Sequence, residues 1–176
     1  MAKPRHRGAH PEDASSFGPA ALPGLQASVR DLCWLLSRGY APKSSLKIVG
    51  DRYALTARQR NTVGRCSCPD ATRDRRLEKE IDASKLSGKH VLIDGFNVLT
   101  TLEAALSGGI ILPGREGCYR DIASMHGSYR LLEETKPVLT LLQEQLGALG
   151  PARVDWFFDQ SVSNSGRLRA ALKDIM

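Results

Sequence analysis

The chain has 176 residues, an apolar fraction of 41% and a formal net charge of +6, enough for one ordinary domain or two small ones. It holds no apolar run of about 18 residues and its basic start lacks an apolar core, so neither a membrane-spanning helix nor a secretory signal is expected. Cys66 and Cys68 are too close in sequence for an ordinary disulfide, and Cys33 and Cys118 stand apart, so a reduced, cytoplasmic protein is the expectation, with a zinc site built from Cys66, Cys68 and a histidine as the lesser alternative.

Charge divides the chain. Residues 1–88 carry 16 Lys and Arg against 9 Asp and Glu, whereas residues 89–176 carry 9 against 10. A basic front half beside an acid-bearing back half suggests an anion-binding module next to a cation-binding one.

Residues 1–24 are rich in Ala, Pro, Gly and His and lack periodicity, so a disordered basic arm is expected there. Leu25, Val29, Leu32, Cys33 and Leu36 then follow helical spacing, with Gly39 placed to end the helix. A second short helix, capped by Ser44 or Ser45, runs through Leu46, Ile48 and Val49. Thr56 and Gln59 form a capping box that opens a third helix, Ala57 to Arg65. These three helices make a small module over residues 25–68, and the charged residues 69–88 read as a linker.

The second unit, residues 89–176, opens with Val91-Leu92-Ile93-Asp94, which reads as a buried parallel strand ending in an acid. Leu99 to Leu106 predicts a helix stopped by Gly108 and Gly109. Residues 110–118 read as a loop, and Tyr119 to Arg130 as partly helical. Thr135 caps a helix over Val138, Leu139, Leu142 and Leu146, with Pro137 in its first turn and Gly150 after its end. Val154 to Asp159 repeats the acid-terminated strand, and a last helix runs from Arg167 to Ile175. Strand, long crossover and strand imply parallel pairing. Two confident strands make an incomplete sheet, so either Ile110 to Leu112 adds a strand or the domain is truncated at its C-terminus; truncation is the reading favoured.

Open α/β sheets bind ligands beyond the carboxyl ends of their strands. Asp94 and Asp159 both lie there, and together they suggest ligands for a hard divalent cation, Mg²⁺ or Mn²⁺. Glu103, about two turns into the following helix, and Asp121 are the acids that would assist. Asn97 would orient substrate or a metal-bound water. Ser163, Asn164, Ser165 and Gly166 precede a helix, a natural phosphate cradle, and Arg167 in its first turn adds an anion-seeking charge. In the front module Arg58 and Arg65 share a helix face among further cations and the aromatics Trp34, Tyr40 and Tyr53, a mixture suited to RNA or another single strand.

The run Asp31 to Tyr40, then Val49-Gly50-Asp51-Arg52-Tyr53 and Leu55 to Arg60, resembles the prokaryotic domain-of-unknown-function family numbered four-three-four. Members of that family are followed by segments similar to Ile93 to Val98, Tyr119-Arg120-Asp121, His126 to Arg130, Phe158-Asp159-Gln160 and Ser163 to Gly166. More loosely, Asp94-Gly95-Phe96-Asn97 resembles the opening strand of NYN and PIN-type ribonuclease domains. That resemblance implies a Rossmann-like fold, metal binding at Asp94 and a later acid matching Asp159. A further acid near a C-terminal strand of those domains has no counterpart here.

The sequence therefore reads as an α/β protein: a helical module followed by a partial PIN-like parallel-sheet domain. The expected activity is metal-dependent cleavage of RNA, with Asp94 and Asp159 as ligands. Two readings compete: a non-catalytic nucleic-acid-binding protein, and a regulator that binds a phosphate ligand.

Overall fold

Two short strands anchor the second half of the chain: β1 (His90–Asp94) and β4 (Arg153–Phe157). They pair in parallel, with His90 opposite Arg153 and Asp94 opposite Phe157. The computed structural model describes residues 8–122, 129, 131–159, 168, 170 and 172. Within these it is a mixed α/β structure of two units, one made of residues 81–109 and 123–176 and the other of residues 9–80 and 110–122.

In the sheet unit, β1 leads directly into α6 (Gly95–Leu106), and α7 (Thr135–Leu149) returns the chain to β4. The core gathers Phe96 and Leu99 of α6, Val138 and Leu139 of α7, and Tyr129, Leu168 and Leu172. The spacing of Phe96, Leu99, Thr100, Glu103 and Ala104 is one helical stripe, and all five are buried. Gly150 ends α7 in the left-handed region at φ 63°, where glycine carries no steric cost. Its carbonyl accepts a hydrogen bond from Gly88 N at 2.8 Å, joining the entry of β1 to the entry of β4.

The strand β1 departs from its expected burial. Val91 and Ile93 are half-buried, while Leu92 is 61% exposed and Phe157, across the sheet end, is 57% exposed. A continuous apolar run predicts cover on both faces; among the described residues only one face of β1 is shielded.

The other unit is helical: α1 (Asp13–Phe17), α2 (Leu22–Ser37), α3 (Pro42–Arg52), α4 (Ala57–Cys66) and α5 (Asp70–Leu77). Leu25, Leu32, Val49, Leu55 and Val63 form its core. The Thr56 capping box forms as read: Gln59 N donates to Thr56 Oγ1 at 3.2 Å and Thr56 N to Gln59 Oε1 at 3.0 Å. Pro42 occupies the first turn of α3 and Ala41 its cap, in place of the expected serine.

Three sequence readings change here. Residues 8–24 are not an unstructured arm: α1 and the start of α2 lie within them, and Asp13 is buried. Residues 69–88 hold α5 and a 3₁₀ turn, Ala83–Leu86. Residues 110–122, read as loop and partial helix, form an antiparallel hairpin, β2 (Ile111–Pro113) with β3 (Tyr119–Asp121), and this hairpin belongs to the helical unit. Strands of three residues are too short to impose a readable period. A strand near Ile110 to Leu112, the less favoured alternative, is therefore present, yet it forms a second sheet and does not extend the first. No helix among the described residues is long and apolar enough to cross a membrane.

Candidate functional site

Parallel pairing brings the ends of β1 and β4 to the same edge of their sheet. Asp94 closes β1 and is also the N-cap of α6. Its Oδ1 accepts the Asn97 amide at 3.4 Å, and its Oδ2 accepts Asn97 Nδ2 at 2.6 Å. The residue remains exposed, so the cap orients its carboxylate without burying it. An N-cap acid is favoured because the first backbone N–H groups of a helix lack partners.

Asp159 follows β4 by two residues and is exposed. Phe158, between it and the strand, turns into the core. Its ring meets Phe96 edge-on at a centroid distance of 5.1 Å and stacks on Trp156 at 6.3 Å. The ring fills the space beside Gly95: a Cβ there would lie 2.3 Å from Phe158 Cε1. Gly95 is the neighbour of Asp94, and Phe158 is the neighbour of Asp159. One van der Waals contact thus ties together the backbone segments that carry the two acids.

The third acid of this region is neutralised elsewhere. Asp155, in the middle of β4, accepts from Arg153 at 3.0 Å and lies 2.9 Å from His90 Nε2. The hydrogen bond from Arg153, then that from His90, holds its carboxyl below the usual range.

Glu103 does not reach the sheet edge. It is fully buried and accepts hydrogen bonds on Oε1 from Tyr129 OH and from Thr135 Oγ1, the latter at 2.6 Å. Its place on the Phe96–Leu99 stripe dictates this, since that stripe faces the core. Thr135, read as a helix cap, spends its hydroxyl on Glu103 and on the Leu132 amide, and Glu134 occupies the cap.

Asp121 ends β3 in the helical unit, 3% exposed at its side chain and 3.4 Å from Arg65 Nη2. The two cations assigned to RNA are likewise engaged within that unit. Arg65 holds Asp121, and Arg58 meets Asp13 Oδ1 through Nη2 at 2.6 Å and Nε at 2.7 Å. Ser163, Asn164, Ser165, Gly166 and Arg167 lie outside the described residues, as does His126.

Glu116 is a buried charge that sequence reasoning missed. It sits in the β2–β3 turn, 2% exposed, and accepts on Oε1 from Arg76 at 2.9 Å and from Arg120 Nε at 2.9 Å. Burial pushes its carboxyl up most, but the Arg120 hydrogen bond and the charges of Arg120 and Arg76 together bring it below the usual range. Cys33, Cys66 and Cys68 are buried free thiols, and Cys118 is exposed. Burial first, then the Glu116 charge, pushes the Cys66 and Cys68 thiols up. Among the described residues no group of three or more His, Cys, Asp or Glu side chains is placed to hold a metal ion. Among the described residues a cation at the sheet edge would have the carboxylates of Asp94 and Asp159, completed by water and substrate oxygens.

The family model described as "Domain of unknown function (DUF5616)" matches residues 83–176, and that described as "Protein of unknown function (DUF434)" matches residues 24–79. The second agrees with the resemblance carried by Asp31 to Arg60. An uncharacterized protein of Methanocaldococcus jannaschii is 31% identical over 155 residues, which cover 86% of this chain and 73% of that protein. No solved structure matches the chain.

Proposed function

We propose that this chain, which belongs to the DUF5616 family, is a metal-dependent phosphodiester hydrolase acting on RNA, with its chemistry at the carboxyl edge of β1 and β4. The observation that carries this reading is the Gly95–Phe158 contact, which ties Asp94 and Asp159 to one sheet edge. The resemblance of Asp94 to Asn97 to the opening strand of NYN and PIN-type ribonucleases points the same way.

The donor set fits Mg²⁺ or Mn²⁺. Both ions take oxygen ligands, and Mg²⁺ is commonly held by one or two carboxylates plus water and substrate phosphate. A bound cation at this position supplies an acidified water and charge compensation for the leaving oxygen. Asp94 supplies one carboxylate, preset by its hydrogen bonds to Asn97. Asp159 supplies the other. The Asn97 side-chain amide fixes the rotamer of Asp94. Glu103 and Asp121 have no part in the chemistry, since both are engaged elsewhere.

Mn²⁺ titration by calorimetry, together with cleavage of a labelled single-stranded RNA, tests the reading. Asp94→Asn and Asp159→Asn will each weaken Mn²⁺ binding and reduce cleavage at least about a hundredfold, in the range of losing one transition-state stabilising group. Asp155→Asn will leave both within about twofold. A folded protein that cleaves equally well without either acid, or never cleaves with either metal, ends the proposal. Binding of RNA without cleavage would leave the non-catalytic reading, which the engagement of Glu103 and Asp121 also favours.

A further inference from the structure

The helical unit carries a second feature that the sheet edge does not use. Along α2 and its C-cap, Arg30, Trp34 and Arg38 recur every four residues, so they lie on one stripe about 6 Å apart along the axis. Trp34 is 53% exposed, an unusual state for so large an aromatic ring. The Arg38 guanidinium stands 3.6 Å from the indole centroid, and its Nη1 donates to Trp34 O at 3.3 Å. Arg30, Trp34, Leu35, Ile48 and Arg52 line a groove of about 420 Å³, with Ile48 59% exposed at its wall.

Most arginines of this unit are held by an acid; Arg75 of α5, like those of the stripe, has none among the described residues. Arg58, Arg60, Arg65, Arg73, Arg76, Arg115 and Arg120 are all held in ion pairs. Arg52 is near Asp31, whose Oδ2 also accepts the Tyr53 hydroxyl, so the single acid of the groove is already occupied. Neither Arg30 nor Arg38 has an acid partner among the described residues. Among the described residues, two guanidinium groups without an acid partner therefore flank an exposed indole on one helix face.

We infer that the Arg30–Trp34–Arg38 stripe of α2 is a binding face for single-stranded RNA, with one base stacked on the Trp34–Arg38 pair and backbone phosphate at Arg30. A base has a flat π-face that suits both an indole and a guanidinium plane. A phosphate supplies the negative charge that the stripe lacks. An acidic peptide would satisfy the arginines but offers no flat ring to stack on the Trp34–Arg38 pair. A duplex keeps its bases stacked inside and offers the indole no free face. The stripe lies in the other unit from the sheet edge, and the inference stands independently of catalysis there.

The experiment uses the full chain in EDTA, which silences any metal chemistry at the edge. Binding of a fluorescent ten-residue oligouridylate is followed by anisotropy, and Trp34 emission is followed in a Trp156→Phe background. The oligonucleotide will quench Trp34 and bind in a salt-dependent manner. Trp34→Ala will weaken binding about tenfold or more, the range for loss of one stacked base, while Trp34→Phe will stay within about threefold. Arg30→Gln will flatten the log–log salt slope by about 0.7, one phosphate contact on a single strand. Circular dichroism melts show whether each variant is folded, and the quenching in the Trp34-containing protein provides an independent readout. Binding that is indifferent to Trp34→Ala in a folded protein overturns the inference. So does binding of duplex RNA, heparin or an oligoglutamate as tight as that of the single strand. Binding retained in EDTA with no cleavage in Mn²⁺ supports this face and rejects only the reading of the sheet edge.

Discussion

Phe158 occupies the space that a side chain on Gly95 would need. A Cβ at Gly95 would fall 2.3 Å from Phe158 Cε1, and the ring is wedged between Phe96 and Trp156. Gly95→Ala therefore forces the ring and the segment carrying Asp159 away from Asp94. A loss of about 1–3 kcal/mol is expected, as for overpacking of a filled core, together with weaker Mn²⁺ binding. Gly24 is the control: it lies in α2, and a methyl group there would meet no atom within 4 Å. Gly24→Ala will raise stability by about 0.4–1 kcal/mol. Thermal melts of both variants compare the two sites directly.

Glu103 is a structural acid. Glu103→Gln keeps the shape but weakens the hydrogen bonds from Tyr129 and Thr135. The cost will be about 1–3 kcal/mol, the range for disturbing the partners of a buried polar group. Mn²⁺ affinity will not change. A variant of wild-type stability that loses metal affinity would return Glu103 to the sheet edge.

Glu116 gives the helical unit an acid limit. Its folded-state carboxyl is depressed by Arg120 and Arg76 despite its burial. A carboxylate with a lowered folded pKa contributes stability that is fully present above its unfolded value, about 4.3, and loses it as pH falls through the lower folded value. Wild-type protein will therefore lose melting temperature steadily on acidification below about pH 4.3. Glu116→Ala will be less stable by about 1–3 kcal/mol at neutral pH, because it removes the partner of two guanidinium groups that water still reaches in part. It will also show a shallower acid slope. Equal slopes for the two proteins would contradict the assignment.

The thiols divide by burial. Cys118 is exposed, while Cys33, Cys66 and Cys68 are buried, and the last two have raised pKa values. Since the thiolate is the nucleophile, a maleimide at neutral pH will label Cys118 rapidly and the other three only on unfolding. Peptide mapping after a short pulse checks this, and fast labelling of Cys66 or Cys68 would refute it.

What could be read from the sequence was local. The Thr56–Gln59 capping box spans four residues and formed as read. The strand ending at Asp94 and the glycine stop at Gly150 were equally legible, because each is a short-range preference; the second strand was legible too, but it ends at Phe157, two residues short of Asp159. The failures were long-range. Arg58 finds Asp13 across 45 residues, and Arg65 finds Asp121 across 56. Neither pairing leaves a local signal, so both arginines looked free for RNA. Glu103 was misjudged by its type: its stripe already faced the core, and the hydroxyls of Tyr129 and Thr135, distant in sequence, help make burial of its carboxyl group tolerable there.

The β2–β3 hairpin has a bearing on inheritance. The two family matches meet between residues 79 and 83, and a cut there looks like a clean dissection. The hairpin makes it otherwise, since residues 110–122 belong with residues 9–80. Cutting at that seam would carry Glu116 and Asp121 away from Arg76 and Arg65. Each fragment would inherit half of a salt bridge whose other half had been dealt to its sibling. The two family segments are thus interlaced along the chain, and a fragment that ends at the seam lacks the two acids that the hairpin brings to Arg65 and Arg76.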